Sequence, residues 1–129
     1  MIGIDLVEPP HLQDLLARTP NLGDELFTVA ERRYSDSQPH PIEHLAARYA
    51  AKEAVVKALG IDGFDPLDIE MVGGGEQAKL LLHREVARRA ADLGVTVTVS
   101  LSHLSGLAAA AALALPVASR QRSEVFGAE

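Results

Sequence analysis

The segment Pro41 to Leu59 constrains this chain more than any other. A proline stands at its start, Gly60 follows its end, and no residue between them breaks a helix. Pro41 suits the first helical position, where its missing N–H is not needed and its fixed φ is already helical. Glu43 puts negative charge at the positive end of the helix dipole. Gly60 suits the left-handed residue that commonly closes a helix. Nearly every residue between is a good or fair helix former. At about 1.5 Å per residue the helix runs roughly 28 Å. A chain of 129 residues fits one domain, so a helix this long crosses all of it.

The other segments are short. Ile2, Ile4 and Leu6 with Asp5 between them predict a strand, ended by Pro9-Pro10. Residues 11–18 form a short amphipathic helix with Leu12, Leu15 and Leu16 on one face, and residues 19–23 a loop. Thr28 followed by Glu31 is a capping-box pattern for a helix to about Tyr34. Residues 67–72 and 78–83 read as two strands around Gly73-Gly74-Gly75-Glu76, a hairpin. Residues 85–93 form a helix stopped by Gly94, and residues 95–101 alternate strictly, as a half-buried strand does. Residues 102–106 are a turn. The alanine-rich stretch 107–115 is assigned as a buried strand because of its length and the tight turn before it. Residues 119–129 are polar and are expected to fray, leaving one domain over 1–118. The class is α+β, a small antiparallel or mixed sheet packed on one long helix.

Composition narrows what such a domain can do. Aromatic residues are 4% of the chain and tryptophan is absent, so the core rests on Ala, Leu, Val and Ile. Small side chains let helix and sheet approach closely, while each buries little area. The net charge of −6 argues against a nucleic-acid partner, though it allows a local basic pocket. With no cysteine there is no thiolate nucleophile, disulfide or zinc–cysteine site, which fits a cytoplasmic chain. The N-terminus lacks the basic region of a signal peptide. The longest apolar run, 107–118, is too short and too alanine-rich to span a bilayer, so no membrane partner is expected.

Chemistry gathers at a few positions. At about 100° per residue, Ile42, Ala46, Tyr49, Ala50 and Lys57 fall within about 60° of Glu53 on the long helix. Glu53 and Lys57 thus lie on a largely apolar stripe. They are either an i,i+4 ion pair worth about 0.3–0.5 kcal/mol, or charges at a pocket rim that need partners such as a metal and a phosphate. Asp5 interrupts an apolar strand on the face opposite Ile4 and Leu6; Glu8 follows near the strand end. Two carboxylates from separate elements suit magnesium, which usually takes one or two carboxylates and then waters and phosphates. His103 follows the alternating strand, at a turn where function often gathers. Gly73-Gly74-Gly75 lacks the Lys-Ser/Thr of a phosphate loop and reads as a hairpin turn. His11, His40, His44 and His83 show no metal-ligand spacing and read as surface residues.

Taken together, Gly3-Ile4-Asp5, then the run from Arg48 through Lys52-Glu53-Ala54-Val55-Val56-Lys57 to Gly60, then Ser100-Leu101-Ser102-His103, resemble the holo-acyl-carrier-protein synthases, the small one-domain phosphopantetheinyl transferases. The resemblance covers residues 2–115. It implies magnesium-dependent transfer of 4′-phosphopantetheine from coenzyme A to a serine of an acyl, polyketide or peptidyl carrier protein, releasing 3′,5′-ADP. It implies that Asp5 and Glu53 hold magnesium, that Glu53 and Lys57 are catalytic, and that Lys57, Arg48, Lys52 and His103 contact coenzyme A. It also implies a homotrimer with sites between subunits. The chain departs from the family where basic residues usually follow the Asp strand; here stand Glu8-Pro9-Pro10-His11-Leu12 and, further on, Asp24-Glu25. The hairpin also lacks a proline common in the family. The alternative is a repurposed or non-catalytic homologue that keeps the trimer and pocket but binds another acyl or nucleotide ligand.

Overall fold

The computed structural model describes residues 1–117, so the polar segment 119–129 lies outside the described residues. Strand β1 (Ile2–Val7) leads into α1 (Pro9–Arg18), α2 (Leu22–Leu26), α3 (Val29–Asp36) and the long α4 (Pro41–Leu59). A 3₁₀ turn at Pro66–Asp68 opens β2 (Ile69–Val72), which a second at Gly75–Gln77 joins to β3 (Lys79–Leu82); α5 (Arg84–Leu93), β4 (Val95–Leu104) and β5 (Leu107–Pro116) follow. The main sheet has the order β1-β5-β4 and the second is the hairpin β2-β3, all antiparallel.

The long helix has the predicted bounds, and Gly60 closes it at φ 64°. Thr28 caps α3 reciprocally: its hydroxyl accepts from the Glu31 N–H at 3.2 Å while its own N–H donates to Glu31 Oε1 at 2.9 Å. Three expectations need correction. The two prolines do not merely end β1; they are the first residues of α1, where no N–H is required. A short helix, α2, stands in the expected loop. Strand β4 continues to Leu104, so His103 lies inside it, opposite Ala108, and the turn shrinks to Ser105-Gly106. A strand with polar Ser and His at its end carries no sequence signal of where pairing stops.

The core is the contact between α4 and the main sheet. Ala46, Ala47, Ala50, Ala51, Ala54 and Ala58 on the helix meet Ala108, Ala110, Ala112 and Ala114 on β5, all buried. The approach is closest at Gly3, where an added Cβ would lie 2.0 Å from the carbonyl oxygen of Ala54 and 2.8 Å from the N of Ala58. Both neighbours are backbone, so neither can swing aside.

Lys52 points the other way, and it corrects an expectation. Its side chain is fully buried. The ammonium lies 2.8 Å from Glu31 Oε1, donates to the Pro66 carbonyl at 2.8 Å, and donates to the Ile69 carbonyl. Three donors are filled by three acceptors, so Lys52 has no proton left for a ligand. Glu31, equally buried, also accepts from the Met71 N–H at 3.0 Å. The pair locks α3 and β2 onto α4. Burial pushes the Lys52 ammonium down from its ordinary pKa and the Glu31 carboxylate opposes this.

Gly3→Ala is expected to destabilise the domain by about 3 kcal/mol, the upper range for overpacking, because the helix must lift from the sheet. Urea unfolding of the two proteins checks this; equal midpoints would show that the contact yields without cost.

Candidate active site

The inner face of the main sheet carries Gly3, Asp5 and Val7 from β1 and Leu101 and His103 from β4, with the alanines of β5 between them. Helix α4 lies over this face. At about 100° per residue, Tyr49 and Lys57 share an edge with Glu53, while His44 and Arg48 fall about 140–180° away. The helix therefore offers two chemically different edges to two clefts.

The first cleft, of about 770 Å³, is lined by Asp5, Glu8, His11, Leu15, Tyr49, Glu53 and Leu107, among others. Asp5 is brought here by strand parity, with its side chain 19% exposed. Lys57 Nζ lies 3.0 Å from Asp5 Oδ1 and donates to the Ile4 carbonyl at 3.0 Å. The lysine thus pairs across elements with Asp5 rather than along the helix with Glu53. An ion pair half open to water adds little stability, so its weight is local: it holds a cation at the cleft rim with one donor to spare. Tyr49, one turn before Glu53, has its phenol pushed up to about 12 by burial, and then by the charge of Glu53 and a hydrogen bond to it.

The donors of this cleft suit a hard divalent cation. They are carboxylate oxygens from two elements, facing an open cleft. Among the described residues no three His, Asp or Glu side chains converge into a complete protein cage. Magnesium does not need one, since waters and substrate phosphates complete its shell.

The second cleft, of about 590 Å³, is lined by Tyr34, His44, Arg48, Gly74, Gly75, Ser100 and His103, with Met71, Val99 and Leu101 as apolar floor. Arg48 is buried, donates to the Gly73 carbonyl and lies 4.4 Å from the centre of the Tyr34 ring. Its buried Nε has no protein partner. Burial lowers the pKa of the guanidinium, with Glu31 opposing. His44 meets His103 edge-on at 4.8 Å and Tyr34 at 5.6 Å. Burial, then His103, holds His44 below the usual histidine range.

The predicted residues thus separate into two groups. Asp5 and Glu53 line one cleft, with Lys57 bonded to Asp5; Arg48 and His103 line the other, and Lys52 lines neither. Sequence reading missed Tyr34, Glu43, His44 and Tyr49. Tyr49 and His44 were findable as helix-wheel neighbours of Glu53 and Arg48; Tyr34 comes from a separate element and left no local signal. His83, read as a surface residue, pairs with Glu70 at 3.0 Å.

Comparison with known proteins places this geometry. The profile of the 4′-phosphopantetheinyl transferase superfamily matches residues 1–112. A holo-[acyl-carrier-protein] synthase of Moorella thermoacetica is 42% identical over 116 residues, covering 86% of this chain and 90% of that protein. One from Leifsonia xyli is 43% identical over 112 residues, covering 84% and 90%. Among solved structures, the Chronobacterium ammoniagenes ACPS–CoA complex superposes with a TM-score of 0.81 at 29% identity, covering 90% of this chain and 96% of that one. The Mycobacterium tuberculosis acyl carrier protein synthase gives 0.71 at 35% identity, covering 89% and 96%. A near full-length profile match and relatives above 40% identity agree: the chain belongs to the 4′-phosphopantetheinyl transferase superfamily, among the holo-[acyl-carrier-protein] synthases.

Proposed function

We propose that this chain transfers the 4′-phosphopantetheine arm of coenzyme A to a serine of an apo acyl carrier protein, with magnesium, and releases 3′,5′-ADP. The observation that carries the reading is the cleft that joins Asp5 and Glu53 beside the Lys57 ammonium. The coenzyme A in the Chronobacterium relative supports the donor.

The serine oxygen attacks the β-phosphorus, the bond to the bridging oxygen of 3′,5′-ADP breaks, and the serine proton leaves. Such a transfer needs positioning and charge stabilisation more than covalent chemistry. Asp5 and Glu53 would hold the cation, which when bound neutralises phosphoryl oxygens. Lys57 faces the same oxygens with its remaining N–H. Glu53, directly or through a water, accepts the serine proton. Arg48 and His103 bind phosphate on the nucleotide side, the buried Nε of Arg48 being a donor in search of an anion. Lys52 takes no part in binding.

The two clefts lie on opposite edges of α4, so one coenzyme A bridges them only if neighbouring chains bring unlike edges together. The sheet face turned from the helix supports this. It exposes Ile2, Ile4 and Leu6 beside Leu113, with Leu115 and Leu107 flanking them. An apolar surface of this extent marks an interface. The proposed assembly is a homotrimer with composite sites.

Three outcomes test this reading. Asp5→Ala and Glu53→Gln each lower turnover by orders of magnitude with the fold retained, as seen by weighing the carrier for the added arm; near-normal turnover in either would remove the metal assignment. Light scattering at micromolar concentration gives a trimer mass, and Ile4→Glu splits it and lowers activity with it; a wild-type monomer would contradict the composite site. The third concerns the carrier. The nearest cations are Arg18, Arg32 and Arg33; Arg18 is tied to Asp14 at 2.9 Å and Arg32 to Asp24 at 2.8 Å, so two of the three are already matched. Rim charge governs encounter and salt dependence. The expected kcat/KM is therefore higher for a carrier with a less acidic, more apolar docking face, and only mildly salt-sensitive for an acidic one. A strong preference for the acidic carrier that falls steeply with salt would show these arginines docking it after all.

A further inference from the structure

Glu43 stands in the first turn of α4 with Oε1 3.2 Å from Nδ1 of His103. Both side chains are partly buried, at 17% and 31% exposure. His103 lines the second cleft, whereas Glu43 lines the neighbouring proline-walled cleft with Pro9, Pro39 and Pro41. The carboxylate therefore holds the edge of the ring turned from the ligand side. We infer that Glu43 is a positioning residue: it accepts the Nδ1–H of His103, fixes the ring's tautomer and orientation, and leaves Nε2 for the phosphate-bearing ligand of the second cleft.

The tautomer of an imidazole is set by the hydrogen bond its other nitrogen makes. With Nδ1–H donated to Glu43, the neutral ring presents a bare Nε2. Protonation adds a hydrogen at that same atom, converting it to a charge-assisted donor without turning the ring. The other groups facing His103 make this support necessary. Helix α4 brings His44 and Arg48, with His40 at its cap, and α3 brings the Tyr34 ring behind His44. The hairpin adds Gly74 and Gly75, and β5 puts Ala108 opposite. Among these, Glu43 is the carboxylate in contact with the ring.

The ligand in this inference is coenzyme A, as proposed above; the tautomer claim stands apart from that identity. The full chain, labelled with nitrogen-15, is to be examined by imidazole NMR as wild type, Glu43→Asp, Glu43→Gln and Glu43→Ala. Affinities for coenzyme A and 3′-dephospho-coenzyme A are measured alongside across pH 5.5–8.5. In the wild type the neutral His103 is expected as the Nδ1–H tautomer. Glu43→Gln keeps an acceptor oxygen and should keep that tautomer. Glu43→Ala loses it, and so does Glu43→Asp, which keeps the charge favoured at a helix N-terminus but withdraws the oxygen. Those two should raise the Kd for coenzyme A roughly tenfold, the size of one charge-assisted hydrogen bond. An unchanged tautomer in both would overturn the inference. A changed tautomer in a chain whose wild type binds no coenzyme A would overturn the nucleotide reading and leave the positioning role standing.

Discussion

The close packing of α4 on the main sheet sets everything else in this molecule. Alanine faces alanine across it, and at Gly3 the strand backbone comes within one missing methyl of the helix backbone. Large apolar side chains would bury more area per residue, but they would hold the layers apart. The reach of Lys57 from the helix to Asp5 on β1, 3.0 Å from ammonium to carboxylate, depends on that thin separation. The chain thus trades burial per residue for proximity of charged groups at the edges of the contact. The apolar surface it still leaves on the outer sheet face is where further burial is available to an assembly.

A helix lying flat on a sheet has two flanks that remain accessible, and this one uses both. Carboxylates and lysine stand on the Glu53 flank; arginine and imidazoles stand on the Arg48 flank. The separation has an electrostatic logic. Carboxylates and an arginine–imidazole group would neutralise each other if they shared one cleft. Kept apart by a helix diameter of about 10 Å, at the scale of the Debye length, each group retains its charge.

The sequence disclosed these features unequally, and the reasons are physical. The bounds of α4 were legible because proline, glycine and composition all act locally. The capping box of α3 was legible for the same reason, being a contact between residues three apart. Strand parity set Asp5 on the face opposite Ile4 and Leu6, and the structure has it there, with those two exposed. The end of β4 was not legible, since pairing of Ser102 and His103 with Ala109 and Ala108 is decided by the partner strand. Lys52 is a related case. The resemblance set it with the residues that contact coenzyme A, whereas in the structure its ammonium is taken up by buried acceptors. A helix turns about 100° per residue, so neighbours in sequence face different surroundings, and the acceptors that claim Lys52 come from α3 and from the turn before β2.

The buried Lys52 explains why the second cleft holds its shape. An unpaired buried ammonium would cost several kcal/mol, so Lys52 fixes whichever elements supply its acceptors: Glu31 from α3, the Pro66 carbonyl, and Ile69 at the start of β2. Glu31 is held in turn by the Thr28 cap and by the Met71 N–H. Tyr34 follows on the same helix as Glu31, and Gly73 follows on the same hairpin as Met71; these are the two groups against which Arg48 rests. The buried pair therefore positions the walls of the second cleft without entering it. One residue further on, Glu53 faces the other flank, and one turn beyond it Lys57 reaches β1. Consecutive positions of one helix thus divide between holding the scaffold and facing an open cleft, and the small residues around them allow both at once.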